Sequence, residues 1–376
     1  MVAVHQVLPV FAPRDAIGNH TAAVRDVLRG MGLHSEIVAG EIVPGAPPGA
    51  RTIRHVHPGR LAAAEPTVWL YHASTGSPVA DWWAELPGPK AIDYHNISPP
   101  DVVGPWEPHV GVELEHGRRQ LAGWVDVAGW ALADSAYNEA ELIGLGYRRT
   151  TVVPILIDTA HLADAVPDDQ LLDALQQRKA AEGGPDLLFV SRVLPHKAQH
   201  ELVKALAAYR LAFGEPARLT LVGAIGSSRY ADALSDFVDE LGLGEAVTVT
   251  GSVSPEELAA RFRVADAYVS ASEHEGFGVP LLEAMAHDVP VVAYAAAAVP
   301  ETVGDAAVLV AERSPTTLAS AIHRVVGDAA LGAQLVAAGH RRLDHLGIGP
   351  TSARLRAAIT AILSDAGLAG DGRPEP

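Results

Sequence analysis

Residues 273–293 read EHEGFGVPLLEAMAHDVPVVA, and this stretch indicates the fold of the chain. Glycines flank Phe277 and Pro280 follows, which predicts a flexible loop that leads into a helix, since proline suits the first helical turn. Residues 289–293 then read as a buried parallel strand. A loop, a helix and a buried strand in this order indicate an α/β fold built on a parallel sheet.

Two carboxylates stand in this stretch, Glu275 before the helix and Glu283 in its predicted first turn. Glu283 lies inside an apolar run, although a carboxylate is rarely buried without a partner. Free amides at a helix start attract a phosphate or a sugar oxygen. The pattern therefore predicts a site for a polyhydroxylated, anionic ligand. The alternative is an exposed Glu283 on a surface helix, with glycines that serve only a tight turn.

Composition narrows the class of protein. The chain has 376 residues, which predicts two domains, and its formal net charge of −17 disfavours a nucleic-acid partner. No apolar run approaches the roughly 18 residues of a membrane span, and no basic amphipathic patch indicates attachment to lipid. The first residues look like a strand, not a signal peptide. Cysteine is absent, which excludes disulfides and thiolate chemistry and fits a cytoplasmic protein.

Apolar strands alternate with amphipathic helices along the whole chain, which predicts two parallel α/β sheets. A capping box at Ser254 and Glu257 marks one helix start. We predict an N-terminal domain over residues 1–160, a linker over 161–184 and a second domain over 185–350. A final helix near 351–368 would pack on the first domain, and 369–376 would be a disordered tail. The predicted strands are 3–8, 67–71, 90–93, 131–133 and 151–153, then 185–190, 218–222, 247–250, 267–270 and 289–293.

Polar loops at strand ends are where ligands bind in open α/β sheets. Arg192 and Lys197 follow the strand 185–190, and a guanidinium with an ammonium suits a diphosphate. The alternative is a pair of solvated surface cations. Two further strands end in glycine-containing turns that a flat base could approach. We therefore expect base contacts, the least specific of these predictions, at Gly223, Ser252 and Val253.

The first half carries a similar set of strand-end residues. Gly18 lies between a strand and a helix and could admit a phosphate to the helix start. Histidine and amide side chains at other strand ends offer donors and acceptors to hydroxyl groups. With 17 histidines in the chain, most are expected to be structural. The candidates for acceptor contacts are Asp15, Asn19, His72 and Asn96, and His95 is a candidate for chemistry.

Together these residues resemble the retaining family-4 glycosyltransferases of GT-B fold. The resemblance covers nearly the whole chain and is most specific in the second half. It rests on two acids separated by seven residues, a Gly-Phe-Gly-Val-Pro segment between them and the two cations, namely Glu275, Glu283, Gly276, Phe277, Gly278, Arg192 and Lys197. In one departure, Ser191 and Ala198 stand where family members often have glycine, which puts the contacts of the phosphate loop in question.

The resemblance implies two Rossmann-like domains that face each other across a deep cleft, with the acceptor on the first and the donor on the second. It implies that Arg192 and Lys197, with Gly18, hold the donor diphosphate and that Glu283 binds the ribose. Glu275 and the amides of 276–278 would face the transferred sugar. His95 would lie near that sugar from the opposite wall, so Glu275 and His95 are the catalytic candidates.

The expected reaction is transfer of a hexosyl group from a UDP- or GDP-sugar to a hydroxyl of a sugar-like or glycan acceptor. No Asp-x-Asp occurs, so we expect no metal and no cofactor besides the nucleotide-sugar co-substrate. The alternatives are a GT-B-like isomerase or phosphorylase, and a non-catalytic nucleotide-sugar sensor. Only four lysines are available for pyridoxal phosphate, and none compels a Schiff base. Homodimer formation stays open.

Overall fold

The computed structural model describes residues 2–13, 15–56 and 65–368. The chain forms two compact units. Within the described residues, the first contains the chain up to Pro100, then Val110–Ile157 and the residues from Leu346 onward, and the second contains Asp101–His109 and Asp158–His345. The predicted linker, 161–184, includes the helix Asp169–Glu182 and lies in the second unit. The predicted tail, 369–376, lies outside the described residues.

The first unit is built on a parallel sheet of seven strands. These are β1 (Ala3–Phe11), β2 (Ile37–Ile42), β3 (Ala50–Thr52), β4 (Thr67–Ala73), β5 (Lys90–Tyr94), β6 (Trp130–Ala133) and β7 (Thr150–Val152). Their order across the sheet is β3-β2-β1-β4-β5-β6-β7. The α-helices from the start of the chain to β7, and the last one of the chain, are Ala16–Gly30, Pro78–Ala84, Pro100–Val103, Pro108–Gly123, Ala136–Leu145 and Ile348–Asp365. A short 3-10 helix spans Ile53–His55.

The core of the first unit explains why the last helix belongs to it. Leu355, Ile359 and Ile362 of that helix are buried against Leu28 and Leu70, which come from the first helix and from β4. Each fully buried aliphatic side chain contributes roughly 1.5–3 kcal/mol. The helix observed at Ile348–Asp365 thus confirms the prediction that the C-terminal helix returns to the first domain, with its start three residues earlier than expected.

The second unit has a parallel sheet of six strands. These are β8 (Asp186–Val190), β9 (Arg218–Val222), β10 (Val247–Gly251), β11 (Ala267–Ser270), β12 (Val291–Tyr294) and β13 (Ala307–Val310), in the order β10-β9-β8-β11-β12-β13. The α-helices are Asp169–Glu182, Gln199–Phe213, Ser228–Glu240, Pro255–Val264, Val279–Ala286, Val299–Val303, Pro315–Gly327 and Ala329–Leu346. Short 3-10 helices span Thr159–His161 and Pro195–Lys197. The two parallel sheets with flanking helices confirm the predicted α/β fold.

Particular local predictions hold in the second unit. Strands Arg218–Val222 and Ala267–Ser270 have the expected bounds. The capping box forms as expected, because the Ser254 hydroxyl accepts from the Glu257 amide at 3.1 Å while the Glu257 carboxylate accepts from the Ser254 amide at 2.8 Å. The strand expected at 289–293 begins two residues later, at Val291. Of the helices in the part of the chain that is described, none combines the length and the apolar character needed to cross a membrane.

Candidate active site

The loop after β8 is braced by one glutamine. The Gln199 side-chain amide donates to the Ser191 hydroxyl at 3.1 Å and to the Arg192 carbonyl at 2.9 Å. Ala198, which stands where glycine was expected, adopts a left-handed backbone with φ of 50°. That conformation costs an L-residue roughly 1–2 kcal/mol. The loop therefore keeps the backbone of a glycine-containing loop although it has lost the glycine.

The loop after β11 lies against the loop after β8 because the two strands are neighbours. The Glu273 amide donates to the His196 carbonyl at 2.8 Å. Lys197 Nζ lies 2.7 Å from Glu275 Oε1, and the two side chains are only 16% and 17% exposed. The structure therefore brings together two residues that the sequence predicts to bind the donor. The guanidinium of Arg192 is exposed and, among the described residues, has no hydrogen-bond or ion-pair partner.

The helix Val279–Ala286 begins where the sequence predicts. Gly278 precedes it with φ of 94°, and no side chain caps its first amides. A Cβ at Gly278 would lie 2.8 Å from a methyl carbon of Leu281, so glycine is required by both backbone and space. The Phe277 carbonyl accepts from the Thr302 hydroxyl, and the Phe277 ring is buried. The expected placement of Glu283 in the first turn is wrong, because Glu283 is the fifth residue of the helix and lies in its second turn.

Glu283 is a partly buried carboxylate, and burial raises its pKa. Among the described residues its side chain makes no hydrogen bond and no ion pair. Burying a carboxylate without a partner is unfavourable, so such a group is expected to have a ligand role. The nearby Tyr268 hydroxyl donates instead to the Val190 carbonyl at 3.2 Å. Glu283 is therefore available to hydroxyl groups of a ligand.

The predicted base-binding residues lie beyond the ends of β9 and β10. Gly223 has φ of 143°, and a Cβ there would lie 2.0 Å from the Ser191 carbonyl oxygen. This glycine is thus required by close approach of the loop after β8. Its amide donates to the Gly251 carbonyl at 3.0 Å. Ser252 is exposed and Val253 is partly buried, and their contact with a base stays a prediction.

In the first unit, the start of the helix Ala16–Gly30 is already capped. The Asp15 carboxylate accepts a hydrogen bond from the Gly18 amide at 2.8 Å. A Cβ at Gly18 would lie 2.8 Å from the Ala12 carbonyl oxygen, so the glycine permits a close turn. Asn19 is exposed. A phosphate at the Gly18 amide would have to replace Asp15, and the roles of these residues stay predictions.

His95 and His72 belong to a buried network that the sequence did not reveal. His95 Nδ1 lies 3.0 Å from each carboxylate oxygen of Asp134, and His95 Nε2 lies 2.9 Å from His72 Nδ1. The other nitrogen of His72 lies 2.9 Å from the Gln6 side-chain oxygen. The His95 side chain is 1% exposed. Its predicted contact with a sugar stays a prediction, but both ring nitrogens are engaged inside the unit.

A second pair completes this network. His20 Nε2 lies 2.9 Å from Asp93 Oδ2, and His20 Nδ1 accepts from the Leu156 amide at 2.9 Å. Asn96 has φ of 73°, and its side-chain amide donates to Asn138 Oδ1 at 2.8 Å. One clue was present in the sequence, since Asp93 ends the predicted strand that leads to His95. Gln6, His20 and Asp134 gave no local signal.

Two groups of side chains are close enough to be considered as metal ligands. They are His20, His72, Asp93 and His95, and, elsewhere in the unit, His5, His34 and Glu65. In the first group His20 Nδ1 accepts an amide hydrogen, so in the neutral ring Nε2 carries the proton and donates to Asp93. In the second group His5 Nδ1 accepts from the Glu36 amide at 3.2 Å, which leaves the proton on Nε2. The observed hydrogen bonds therefore fit proton networks better than metal sites.

A pocket of about 440 Å³ lies in the second unit, beside the loop after β8. Its lining includes Trp106, Pro195, His200, Lys204, Tyr230, Phe237 and Glu273. The polar groups among them already have partners: His200 bonds the Tyr230 hydroxyl at 2.9 Å, Lys204 pairs with Glu201 at 3.0 Å, and Glu273 pairs with Arg313. The pocket therefore offers mainly apolar walls.

Comparison with known sequences shows what the second unit resembles. Residues 173–342 match the family described as "Glycosyl transferases group 1". The D-inositol 3-phosphate glycosyltransferase of Nocardia farcinica is 32% identical over 222 residues, which are 58% of this chain and 48% of that protein. The GDP-mannose-dependent alpha-(1-6)-phosphatidylinositol monomannoside mannosyltransferase of Mycolicibacterium smegmatis is 28% identical over 287 residues, 68% of this chain and 69% of that protein. The chain spans about half the length of several curated relatives that it matches.

Solved structures share the fold over nearly the whole chain. Sucrose-phosphate synthase from Thermosynechococcus elongatus has a TM-score of 0.73 at 20% identity, with 96% of this chain and 100% of that chain covered. HepE from Anabaena in complex with UDP-glucose has a TM-score of 0.71 at 18% identity, with 95% and 99% covered. At these identities the likeness shows the fold alone, and the two parallel sheets are those of GT-B structures.

Proposed function

We propose that the chain is a retaining glycosyltransferase, because residues 173–342 match the family of group 1 glycosyl transferases. It moves a hexosyl group from a nucleotide-diphosphate sugar to a hydroxyl of a sugar-like or glycan acceptor. The observation that carries this proposal is the edge of the second sheet. There Lys197 and Glu275 meet at 2.7 Å, and Glu283 lies nearby in the sequence without a partner of its own.

The proposed roles follow from charge and hydrogen-bonding capacity. Arg192 and Lys197 bind the diphosphate, since a guanidinium fork and an ammonium neutralise its oxygens. Glu283 accepts from the ribose hydroxyls. The uncapped amides around Gly278 and the carboxylate of Glu275 face the transferred sugar. The base would lie along Gly223, Ser252 and Val253, and Gly18 would join the two cations at the diphosphate. The first unit would bind the acceptor through Asp15, Asn19, His72 and Asn96, with His95 near the transferred sugar.

The reaction is balanced without a further reactant. The bond between the anomeric carbon and the diphosphate oxygen breaks, and the acceptor oxygen bonds to that carbon from the same face. The acceptor proton passes to the departing phosphate oxygen. Arg192 and Lys197 stabilise the charge that grows on the diphosphate, and the carboxylate of Glu275 stabilises the cation-like sugar. We propose that no metal ion and no other cofactor takes part.

The names of the relatives suggest which substrates to test first. One relative is named for inositol 3-phosphate as acceptor, another for GDP-mannose as donor, and one structural neighbour was solved with UDP-glucose. We therefore propose a UDP- or GDP-hexose as donor and a cyclitol or sugar hydroxyl as acceptor. The acceptor proposal starts from the first of these relatives, of which the chain covers 48%.

The decisive experiment measures release of nucleoside diphosphate from UDP-glucose and GDP-mannose, with and without inositol 3-phosphate. Acceptor-dependent release, together with a glycosylated product of the donor's anomeric configuration, is the expected result. Binding of donor without release under any acceptor would favour the sensor alternative. Activity should persist in excess EDTA, and complete loss that Mg²⁺ or Mn²⁺ restores would overturn the metal-free mechanism.

A further inference from the structure

The buried histidine network of the first unit contains three hydrogen bonds in a row and ends in an acceptor on each side. Two neutral imidazole rings do not carry enough protons for all three hydrogen bonds. The network runs from the Gln6 side-chain oxygen through His72 and His95 to Asp134, with contacts of 2.9, 2.9 and 3.0 Å. The Gln6 side-chain oxygen lies 2.9 Å from His72 Nε2, and its amide nitrogen lies 3.5 Å from the Ser35 hydroxyl. The two groups at the ends of this network, Gln6 and Asp134, therefore both accept hydrogen bonds.

The protons that these three hydrogen bonds require can be counted. His72 Nε2 must carry a proton to donate to Gln6, and His95 Nδ1 must carry one to donate to Asp134. The central contact between His72 Nδ1 and His95 Nε2 needs a third proton. Two neutral imidazoles carry only two protons. The third proton is therefore carried by one of the rings, which is then a cation, or by the Asp134 carboxyl group, which would then donate to His95 Nδ1.

Geometry assigns the charge to His95. Both oxygens of Asp134 lie 3.0 Å from His95 Nδ1, as expected for an ionised carboxylate that receives one N–H. His95 Nε2 is also 3.9 Å from Asp93 Oδ2, so carboxylates lie on both sides of the ring. His72 has the neutral Gln6 on its outer side, and its Nδ1 lies 3.6 Å from the same Asp93 oxygen, so it is the contact with Asp134, not Asp93, that distinguishes the two rings.

We infer that His95 is a permanent imidazolium, fixed by Asp134 on one nitrogen and by His72 on the other, and that it acts as a constant charge and a positioning residue. With both nitrogens engaged, the ring has no free atom with which to exchange a proton with a substrate. Asp134 and His72 are then positioning residues that act through His95. This role rests on the proposed function, whereas the charge state does not.

The surroundings of the pair act in both directions: burial raises the pKa of Asp134, while the charge and the hydrogen bond of His95 oppose that rise. Burial lowers the pKa of His95, but Asp134 and then Asp93 and Asp15 outweigh it and raise the pKa to about 9. Burial likewise lowers the pKa of His72 well below its ordinary value, which keeps that ring neutral. Burial raises the pKa of Asp93, but His95 and His20 lower it by more, so that carboxylate stays ionised. The remaining neighbour, His20, donates to Asp93 as a neutral ring.

The charge state can be measured in the wild-type protein without any activity assay. Histidine labelled with ¹³C at Cε1 gives one signal for each ring, and the spectrum of His95→Gln identifies the signal of His95. We expect this signal at the imidazolium position at pH 7.5, unchanged down to pH 6. A neutral His95 at pH 7.5, or a titration below pH 7, would overturn the inference.

The positioning role of Asp134 is tested by the pH dependence of transfer. In Asp134→Asn the amide oxygen still accepts from His95 but carries no charge, so the ring should lose its extra proton near neutrality. We expect kcat of this variant to fall at least fivefold between pH 6 and pH 8. Wild type and the matched control Asp126→Asn, an exposed residue of the same unit, should change less than twofold.

A loss of activity in Asp134→Asn that is equal at all pH values would show a merely structural role and would contradict the positioning claim. If Asp134→Asn does not fold, the wild-type spectrum still decides the charge of His95. If no donor and acceptor pair gives transfer in wild type, the proposed function fails, and the same spectrum separately decides whether His95 is an imidazolium.

Discussion

The ion pair between Lys197 and Glu275 leads to a prediction opposite to the usual effect of removing a site residue. Lys197 is held by the carboxylate of Glu275 at 2.7 Å, with both side chains mostly buried. A diphosphate that uses Lys197 must compete with Glu275 and must also bind near its negative charge. We therefore predict that Glu275→Gln binds free UDP or GDP more tightly than wild type while it transfers sugar more slowly.

The size of the effect follows from the contact. A hydrogen bond between charged groups contributes about 1.5–3 kcal/mol net, and a neutral acceptor gives roughly half of that. Glutamine keeps the shape and one acceptor oxygen, so the competition for Lys197 should weaken by about 0.8–1.5 kcal/mol. This free energy corresponds to a roughly four- to twelvefold lower Kd. Lys197→Ala should instead raise the Kd roughly tenfold or more, because it removes the cation.

Calorimetric titration of each variant with UDP and GDP at low salt measures these constants. The matched control is Glu201→Gln, which breaks a similar pair, with Lys204 at 3.0 Å, on the neighbouring helix. The control should leave the Kd within twofold of wild type. An unchanged or higher Kd in Glu275→Gln would refute the reasoning, since it would mean that Lys197 and the diphosphate do not meet or that Glu275 does not compete.

Three further predictions concern stability. Glu283→Gln should raise Tm by roughly 1–3 °C, because a neutral amide is less unfavourable than a carboxylate at a buried position. The same change should weaken donor binding about tenfold, and a lower Tm in thermal unfolding would contradict the reasoning. Gly223→Ala should lower the free energy of unfolding in urea by about 3 kcal/mol or more, since its Cβ would meet a carbonyl oxygen. The control Gly242→Ala, where the Cβ enters open space, should lower it by about 1 kcal/mol, and equal losses would refute the clash. Tm should peak near pH 6.5–7. Burial lowers the pKa of His5 to about 4, so stability is lost as the pH falls from 6.5 toward 4. His95 has a pKa of about 9, so the stability that its charge contributes is lost as the pH rises from 6.5 through 9. A Tm that keeps rising to pH 9 would count against the assigned charge of His95.

The sequence predicted the second unit well because its signals are local. Strands Arg218–Val222 and Ala267–Ser270 are short apolar runs bounded by polar or glycine-containing turns. The loop and helix around Gly278 depend on residues that are neighbours in the chain. The sequence did not predict β2, β3 or β13. β3 has only three residues, none fully buried, and carries no apolar alternation that could reveal it.

The contacts that define the site could not be predicted in the same way, because they join distant residues. Lys197 and Glu275 are 78 residues apart, and Gln6 and His72 are 66 apart. The strand order brings each pair to one sheet edge, and the sequence alone does not give the rotamers that complete the contact. His95 illustrates the difference. Its place at a strand end was predictable, but its engagement by Asp134 and His72 depends on two other strands.

The Lys197–Glu275 pair and the His95–Asp134 pair differ in how deeply they are buried, and this difference assigns them different roles. The side chains of Lys197 and Glu275 keep 16% and 17% of their surface exposed, so a ligand can reach this pair and exchange its partners. The pair of His95 and Asp134 has side chains that are 1% exposed, and separating it would leave charges buried without compensation. A pair of the first kind can respond to the arrival of a donor, whereas one of the second kind cannot. We therefore expect changes that depend on the donor to begin at Lys197 and Glu275 in the second unit, while the charge around His95 stays constant throughout the reaction.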